Sequence, residues 1–122
     1  MTVIIHFSID TKPIPQARPR VGKFNTFEPE RCTNYKKILS WSAKQAMRGN
    51  SPLTKPIKIE IKIFRNQAPT SKQYGDWDNH AKSVCDALNG IVYADDAQIV
   101  DGRVQMFKDK NQRVEVTVSD EV

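Results

Sequence analysis

The stretch Ile57–Arg65, IKIEIKIFR, alternates without a break: Ile57, Ile59, Ile61 and Ile63 fall on one side, Lys58, Glu60 and Lys62 on the other. Successive side chains of an extended strand point to opposite faces, whereas a helix would scatter the same isoleucines around its axis. The stretch predicts a strand with one buried and one wetted face. A chain that carries it must supply an apolar layer to cover the isoleucines.

Residues 2–9 alternate in the same way, Val3, Ile5, Phe7 and Ile9 against Thr2, Ile4, His6 and Ser8, and predict an N-terminal strand with His6 on its surface. Four of the seven prolines (Pro13, Pro15, Pro19, Pro29) then rule out regular helix or central strand and predict a long basic loop. Thr33 is the expected N-cap of a helix that places Tyr35, Ile38, Leu39, Ser42, Ala43 and Ala46 on one side and stops at Gly49. A second helix is predicted from the stripe Trp77, Ala81, Val84, Cys85 and Leu88, ended by Asn89-Gly90. Segments 98–107 and 113–119 read as a closing hairpin around the turn at 108–111. The fold class is α/β (α+β), one domain over residues 1–122: a small mixed sheet, two main helices mainly on one face, order β-α-β-α-β-β.

With 122 residues, 39% apolar and 27% charged, the chain has enough apolar content for one core and none of the bias of disorder. No apolar run approaches the ~20 residues of a membrane span, and the first residues lack a signal-peptide pattern, so the expected location is the cytoplasm. Cys32 and Cys85, without a CxxC, read as reduced thiols, with Cys85 in the core.

Charge is unevenly spread. Residues 12–48 carry nine Lys/Arg against two acids, and the whole chain is +5, yet residues 76–101 hold six aspartates (76, 78, 86, 95, 96 and 101) and one cation, Lys82. A basic field of this size suits a polyanionic partner, nucleic acid above all. Acids inside such a field repel phosphate unless a divalent cation stands between them. Asp76 and Asp78, one residue apart, suit a hard cation such as Mg²⁺, which takes one or two carboxylates and lets substrate phosphate complete its shell. The Asp95-Asp96 corner is long enough to return a third carboxylate to the start of that helix. Simpler roles stand beside these: Asp76 as a helix N-cap, Asp95 and Asp96 as turn residues, Lys82 as an i, i+4 partner of Asp78. His80 reads as a packing or DNA-facing residue before a general base.

The pattern Asp76-x-Asp78-Asn79, Lys82, then Asp86-Ala87-Leu88, then Asp95-Asp96-x-Gln98-Ile99 resembles the Holliday-junction resolvases of the RusA type, small Mg²⁺-dependent endodeoxyribonucleases. The match is specific over about 25 residues and looser elsewhere, extending to total length, an N-terminal strand, the Pro-rich basic turn IPQARPR and a terminal hairpin. His80 replaces the usual apolar residue, and Trp77 is bulkier than the usual aliphatic. The resemblance implies that Asp76, Asp78 and Asp96 bind the catalytic Mg²⁺, for which Mn²⁺ can substitute, and that Lys82 assists. Asp95 is a further ligand, an outer-sphere acid or only the turn that aims Asp96. Asn79 and Gln98 orient ligands or contact phosphate.

The implied reaction is metal-dependent hydrolysis of DNA phosphodiesters at a four-way junction in recombination and repair, by one ion or two. Paired symmetric nicks on a two-fold symmetric substrate imply a homodimer. Arg18, Arg20 and Lys23 on the Pro-rich loop, with Lys36 and Lys37 on the first helix, are the candidate phosphate contacts. The alternatives are a non-catalytic nucleic-acid-binding module and, less favoured for want of an acceptor region, a nucleotide-sugar transferase.

Overall fold

The structure, a computed structural model, describes residues 2–17, 20–21 and 26–122. Its elements are β1 (Ile4–Ile9), β2 (Arg20–Val21), β3 (Thr26–Phe27), α1 (Glu30–Met47), β4 (Ile57–Arg65), α2 (Trp77–Leu88), a 3₁₀ turn (Asp96–Gln98), β5 (Ile99–Lys108) and β6 (Arg113–Ser119). Apart from the short β2–β3 ribbon, this is the mixed α+β arrangement that the sequence predicts. The four long strands form one sheet in the order β1-β6-β4-β5. β6 runs antiparallel to both β1 and β4, while β4 and β5 are parallel.

β4 lies inside the sheet, between β6 and β5: Ile57, Ile59, Ile61 and Ile63 are all buried on one face, as their alternation predicts, and the strands on either side pair its polar backbone. Ile5 and Phe7 of β1 and Val114, Val116 and Val118 of β6 continue the apolar face. Tyr35, Leu39, Ala43 and Met47 of α1 and Val84, Ala87 and Leu88 of α2 pack into the same core. The opposite face carries Lys58, Glu60, Lys62 and Glu115, as the alternation requires.

Three expectations are corrected. β5 and β6 are not a hairpin, since β4 lies between them. Four linking residues reach across two strand spacings of about 5 Å each, and the Asp109 N–H donates to the Arg65 carbonyl on the way, 2.9 Å. Thr33 does not cap α1, which begins three residues earlier after Pro29; the Thr33 hydroxyl donates to Glu28 Oε2 instead. Cys32 is the fully buried thiol and Cys85 only half-buried.

The parallel pair places the acids. A parallel connection must return the chain to the end of the sheet where it began. α2 makes that return, beginning where β4 ends and finishing near the start of β5. Among the described residues no helix is long and apolar enough to cross a membrane.

Candidate metal and phosphate site

Asp76 is delivered by a rigid turn. The buried Arg65 guanidinium, at the end of β4, donates through Nη1 to the carbonyls of Gln73 (3.0 Å) and Tyr74 (2.5 Å). The Tyr74 hydroxyl lies 2.8 and 2.7 Å from the carbonyls of Ile63 and Phe107, donating to one, and accepts the Phe107 N–H. Gly75 follows at φ +90°, with room for nothing larger: a Cβ there would stand 2.5 Å from Pro15 Cγ. The backbone then enters α2 through Asp76 at φ −75°, ψ 149°.

Asp76 occupies the N-cap position, but its side chain makes no capping hydrogen bond. Its carboxylate is therefore not spent on the helix. Asp78, in the first turn, accepts the neighbouring Asn79 N–H at Oδ1, 3.0 Å, and no other hydrogen bond among the described residues. Both side chains are exposed and line a cleft of about 520 Å³ with Thr70, Lys72, Trp77 and Met106. Positive helix-end potential adds to the attraction for anions here.

Lys82 and Asp86 continue the Asp78 side of α2 at successive turns. Lys82 pairs with Asp86 (Nζ to Oδ2, 3.5 Å) rather than with Asp78, and Lys36 of α1 reaches the same oxygen, also at 3.5 Å. The 89–95 segment returns Asp96 to this part of the helix, and not to the helix start as expected. Its carboxyl is raised above the ordinary carboxylate range by a hydrogen bond with Asp95, by burial and by the charges of Asp95 and Asp86, against the pull of Lys82. Topology explains the separation: Asp76 lies where β4 has just ended, Asp96 where β5 is about to begin.

Two other candidates have structural work. Asp95 caps the 3₁₀ turn, accepting the Ala97 N–H at 3.1 Å in a capping box with Gln98. The Gln98 side chain is fully committed, accepting the Asp95 N–H and donating to the carbonyls of Leu53 and Lys55, all at 2.9 Å. Asn79 contributes its carbonyl, which accepts the Gln16 N–H at 2.9 Å. With the Ser83 hydroxyl donating to the Ile14 carbonyl at 2.9 Å, this ties the Pro-rich segment to α2. Ser83, buried in the second helix, carried no sequence signal.

His80 is buried on this helix, and burial pushes its pKa down to about 4. Its Nε2 lies 2.7 Å from the Tyr74 carbonyl, which can only accept, so the neutral ring carries its proton on Nε2. Trp77, expected in the buried stripe, is 61% exposed at the cleft. Of the candidate phosphate contacts, Arg18 and Lys23 lie outside the described residues, and Arg20 belongs to β2. Lys36 is held by Glu28 (2.7 Å) and Asp86, whereas Lys37 is exposed and makes no ion pair among the described residues.

Among the described residues no three His, Cys, Asp or Glu side chains stand together to hold a metal ion. The Asp76–Asp78 pair nevertheless fits a hard divalent cation. Its donors are carboxylate oxygens, the Asp76 carboxylate is uncapped, and the cleft beside them is open to a phosphate that would complete the shell.

The model of the family described as Endodeoxyribonuclease RusA matches residues 10–119. A Bacillus subtilis (strain 168) protein described as uncharacterized protein YqaN is 31% identical over 137 residues, covering 93% of this chain and 94% of the relative. A chain of the crystal structure of a HypE–HypF complex aligns with 97% of this chain, at 16% identity and a TM-score of 0.43; this chain spans 32% of that one. The chain belongs to the RusA family of endodeoxyribonucleases.

Proposed function

We propose that the protein is a Mg²⁺-dependent, structure-specific endodeoxyribonuclease that resolves four-way DNA junctions by paired symmetric nicks in recombination and repair, acting as a homodimer. Mn²⁺ is the expected substitute ion. The observation that carries the reading is the uncapped Asp76 beside Asp78 at an open cleft, in a chain of this family.

When bound, the divalent ion lowers the pKa of a coordinated water and offsets the charge of the phosphodiester. Asp76 and Asp78 would hold the ion at the head of α2, and Asp96, which its own chain carries to the Lys82–Asp86 part of the helix, would complete the carboxylate set across the dimer. Lys82, 60% exposed in its side chain, faces the DNA strand and steadies negative charge building on the phosphate. Asp95 and Gln98 hold Asp96 in place through the turn they cap. Arg18, Arg20, Lys23 and Lys37 contact DNA phosphates, and Lys36 keeps α1 against Asp86. The homodimer follows from the substrate, whose two-fold symmetry calls for two sites related by a two-fold axis. It also lets the acids of two chains share a centre, which one chain does not assemble among its described residues.

The test uses a labelled four-way junction with the wild type and Asp76→Asn, in Mg²⁺ or in EDTA. Symmetric nicks are expected in the wild type with Mg²⁺ alone, and Asp76→Asn is expected to bind the junction without cutting it. Cleavage by Asp76→Asn at the wild-type rate overturns the assignment. Binding without cleavage by the wild type in Mg²⁺ or Mn²⁺ favours the non-catalytic module.

A further inference from the structure

A second cleft, of about 450 Å³, opens between α1 and the Asp86 side of α2. Lys36, Lys37, Trp41 and Lys44 line it from α1, with Glu28 and Asp86 at its margin. Lys37, Trp41 and Lys44 are spaced i, i+4 and i+7, so one stripe of the helix carries two cations around an indole. Every residue of that stripe is exposed, Trp41 at 65%.

The core does not explain the indole. The buried side of α1 is Cys32, Tyr35, Leu39, Ala43 and Met47, and Trp41 lies off it. An indole left in water forgoes the burial that makes tryptophan stabilising, which calls for a ligand that covers it. The charge around it states the sign of that ligand. Both marginal acids are already engaged by Lys36, at 2.7 Å from Glu28 and 3.5 Å from Asp86, while Lys37 and Lys44 make no ion pair among the described residues. The cleft therefore presents a flat aromatic face between two free ammonium groups. Nucleotides match it: a planar base for the ring and phosphates for the lysines.

Base faces are covered in a duplex, where each pair stacks on the next, and open in an unpaired strand. We infer that the α1 cleft is a subsite for unpaired nucleotides, in which Trp41 stacks on a base while Lys37 and Lys44 hold the flanking phosphates. It extends the nucleic-acid part of the proposed function and rests on none of its chemistry. Its place beside Asp86 puts an unpaired strand next to the Lys82–Asp86–Asp96 group, so the cleft would select the open centre of a branched substrate over its paired arms.

The experiment measures fluorescence anisotropy of a labelled 12-nucleotide oligothymidylate, and of a 12-base-pair duplex, with the full chain in EDTA. Trp41→Ala is expected to weaken the single strand at least fivefold, the lower end of what one stacked base contributes, and the duplex less than twofold. Trp41→Phe, which keeps an aromatic face, is expected to recover most of the loss. In a Trp77→Phe background Trp41 is the sole indole, and its emission should be quenched as the oligonucleotide saturates. Unchanged single-strand affinity in Trp41→Ala, an equal loss for both probes, or unquenched emission at saturation overturns the inference. So does a Trp41→Ala protein that turns from dimer to monomer in sedimentation velocity, which would assign this face to the subunit interface. Because the assay involves neither metal nor cutting, an inactive nuclease would leave the stacking site standing, and loss of the stacking site would leave the nuclease standing.

Discussion

The Nε2 of His80 lies 2.7 Å from the carbonyl of Tyr74, so the first buried residue of α2 is bonded to the turn that carries Asp76. The bond crosses Gly75 and closes the turn upon the helix that follows. Arg65 donates to the same carbonyl from β4, so sheet, turn and helix meet at a single oxygen.

The buried imidazole predicts a pH dependence. Its folded pKa of about 4 lies below the ordinary 6.5, because burial disfavours the charged ring. Above 6.5 both folded and unfolded chains hold it neutral, and its contribution is complete. Between 6.5 and 4 the unfolded chain takes up a proton that the folded chain resists, so stability falls as pH drops through that window and levels off below it, by up to about 3 kcal/mol. Urea melts from pH 4 to 7.5 should show a gentler slope for His80→Leu than for the wild type. Parallel curves for the two proteins would show that the ring is not held neutral.

Arg65 predicts a cost of a different kind. Its guanidinium is buried, without a carboxylate partner among the described residues; Nη1 donates to the carbonyls of Gln73 and Tyr74, while the buried Nε has no partner there. Arg65→Met fills most of the volume but leaves the Gln73 carbonyl without this donor and the Tyr74 carbonyl with His80 alone. The expected loss is about 2–3 kcal/mol in a urea melt at pH 7.5. If Asp76 is positioned through this turn, Mn²⁺ affinity by calorimetry should fall as well, with the chain still folded. Unchanged Mn²⁺ binding would separate the turn from the metal site.

How much of this was legible in the sequence depends on whether a residue's partner is nearby along the chain. The IKIEIKIFR strand was readable to its ends because alternation is a local property and burial follows it. The position of β6 was not, since alternation identifies a strand without identifying its neighbours. On α2 the buried stripe, His80, Ser83, Val84, Ala87 and Leu88, stands one residue off the apolar one. Trp77 looked apolar and is exposed, while His80 and Ser83 looked polar and are buried, because each finds a backbone carbonyl from outside the helix, Tyr74 and Ile14. In the candidate site, the adjacency of Asp76 and Asp78 was visible in two letters of sequence. Where Asp96 returns depends on the path of residues 89–95, which no spacing rule fixes.

Gly75 offers an internal control. Alanine there would meet Pro15 Cγ at 2.5 Å and His80 Nε2 at 3.2 Å, at φ +90°, whereas Gly49, at φ +78°, has nothing within 4 Å of an added Cβ. Gly49→Ala should cost about 1 kcal/mol, the backbone penalty alone. Gly75→Ala adds displacement of the Pro-rich segment and should lower the melting temperature by roughly 10 °C or more. Equal losses at the two positions would mean that Pro15 yields without cost.

Glu28 predicts a pH window on the acid side. Hydrogen bonds from Lys36 (2.7 Å) and Gln16 (2.7 Å), with the Thr33 hydroxyl at 2.9 Å, hold its carboxyl down to about 2. A carboxylate depressed in the folded state contributes its full stability above the unfolded value near 4.5 and loses it as pH falls towards 2. Glu28→Gln should therefore be less stable than wild type at pH 7, by about 1 kcal/mol for a partly exposed charge network, and the difference should vanish by about pH 2. The same substitution frees Lys36 from one of its two acids. At neutral pH Lys36 would then lean wholly on Asp86, loosening the Lys82–Asp86 contact, so a paired measurement of Lys82 side-chain mobility by NMR should show a change in Glu28→Gln. A Lys82 signal identical to wild type would mean that α1 and the acid row of α2 are electrostatically independent.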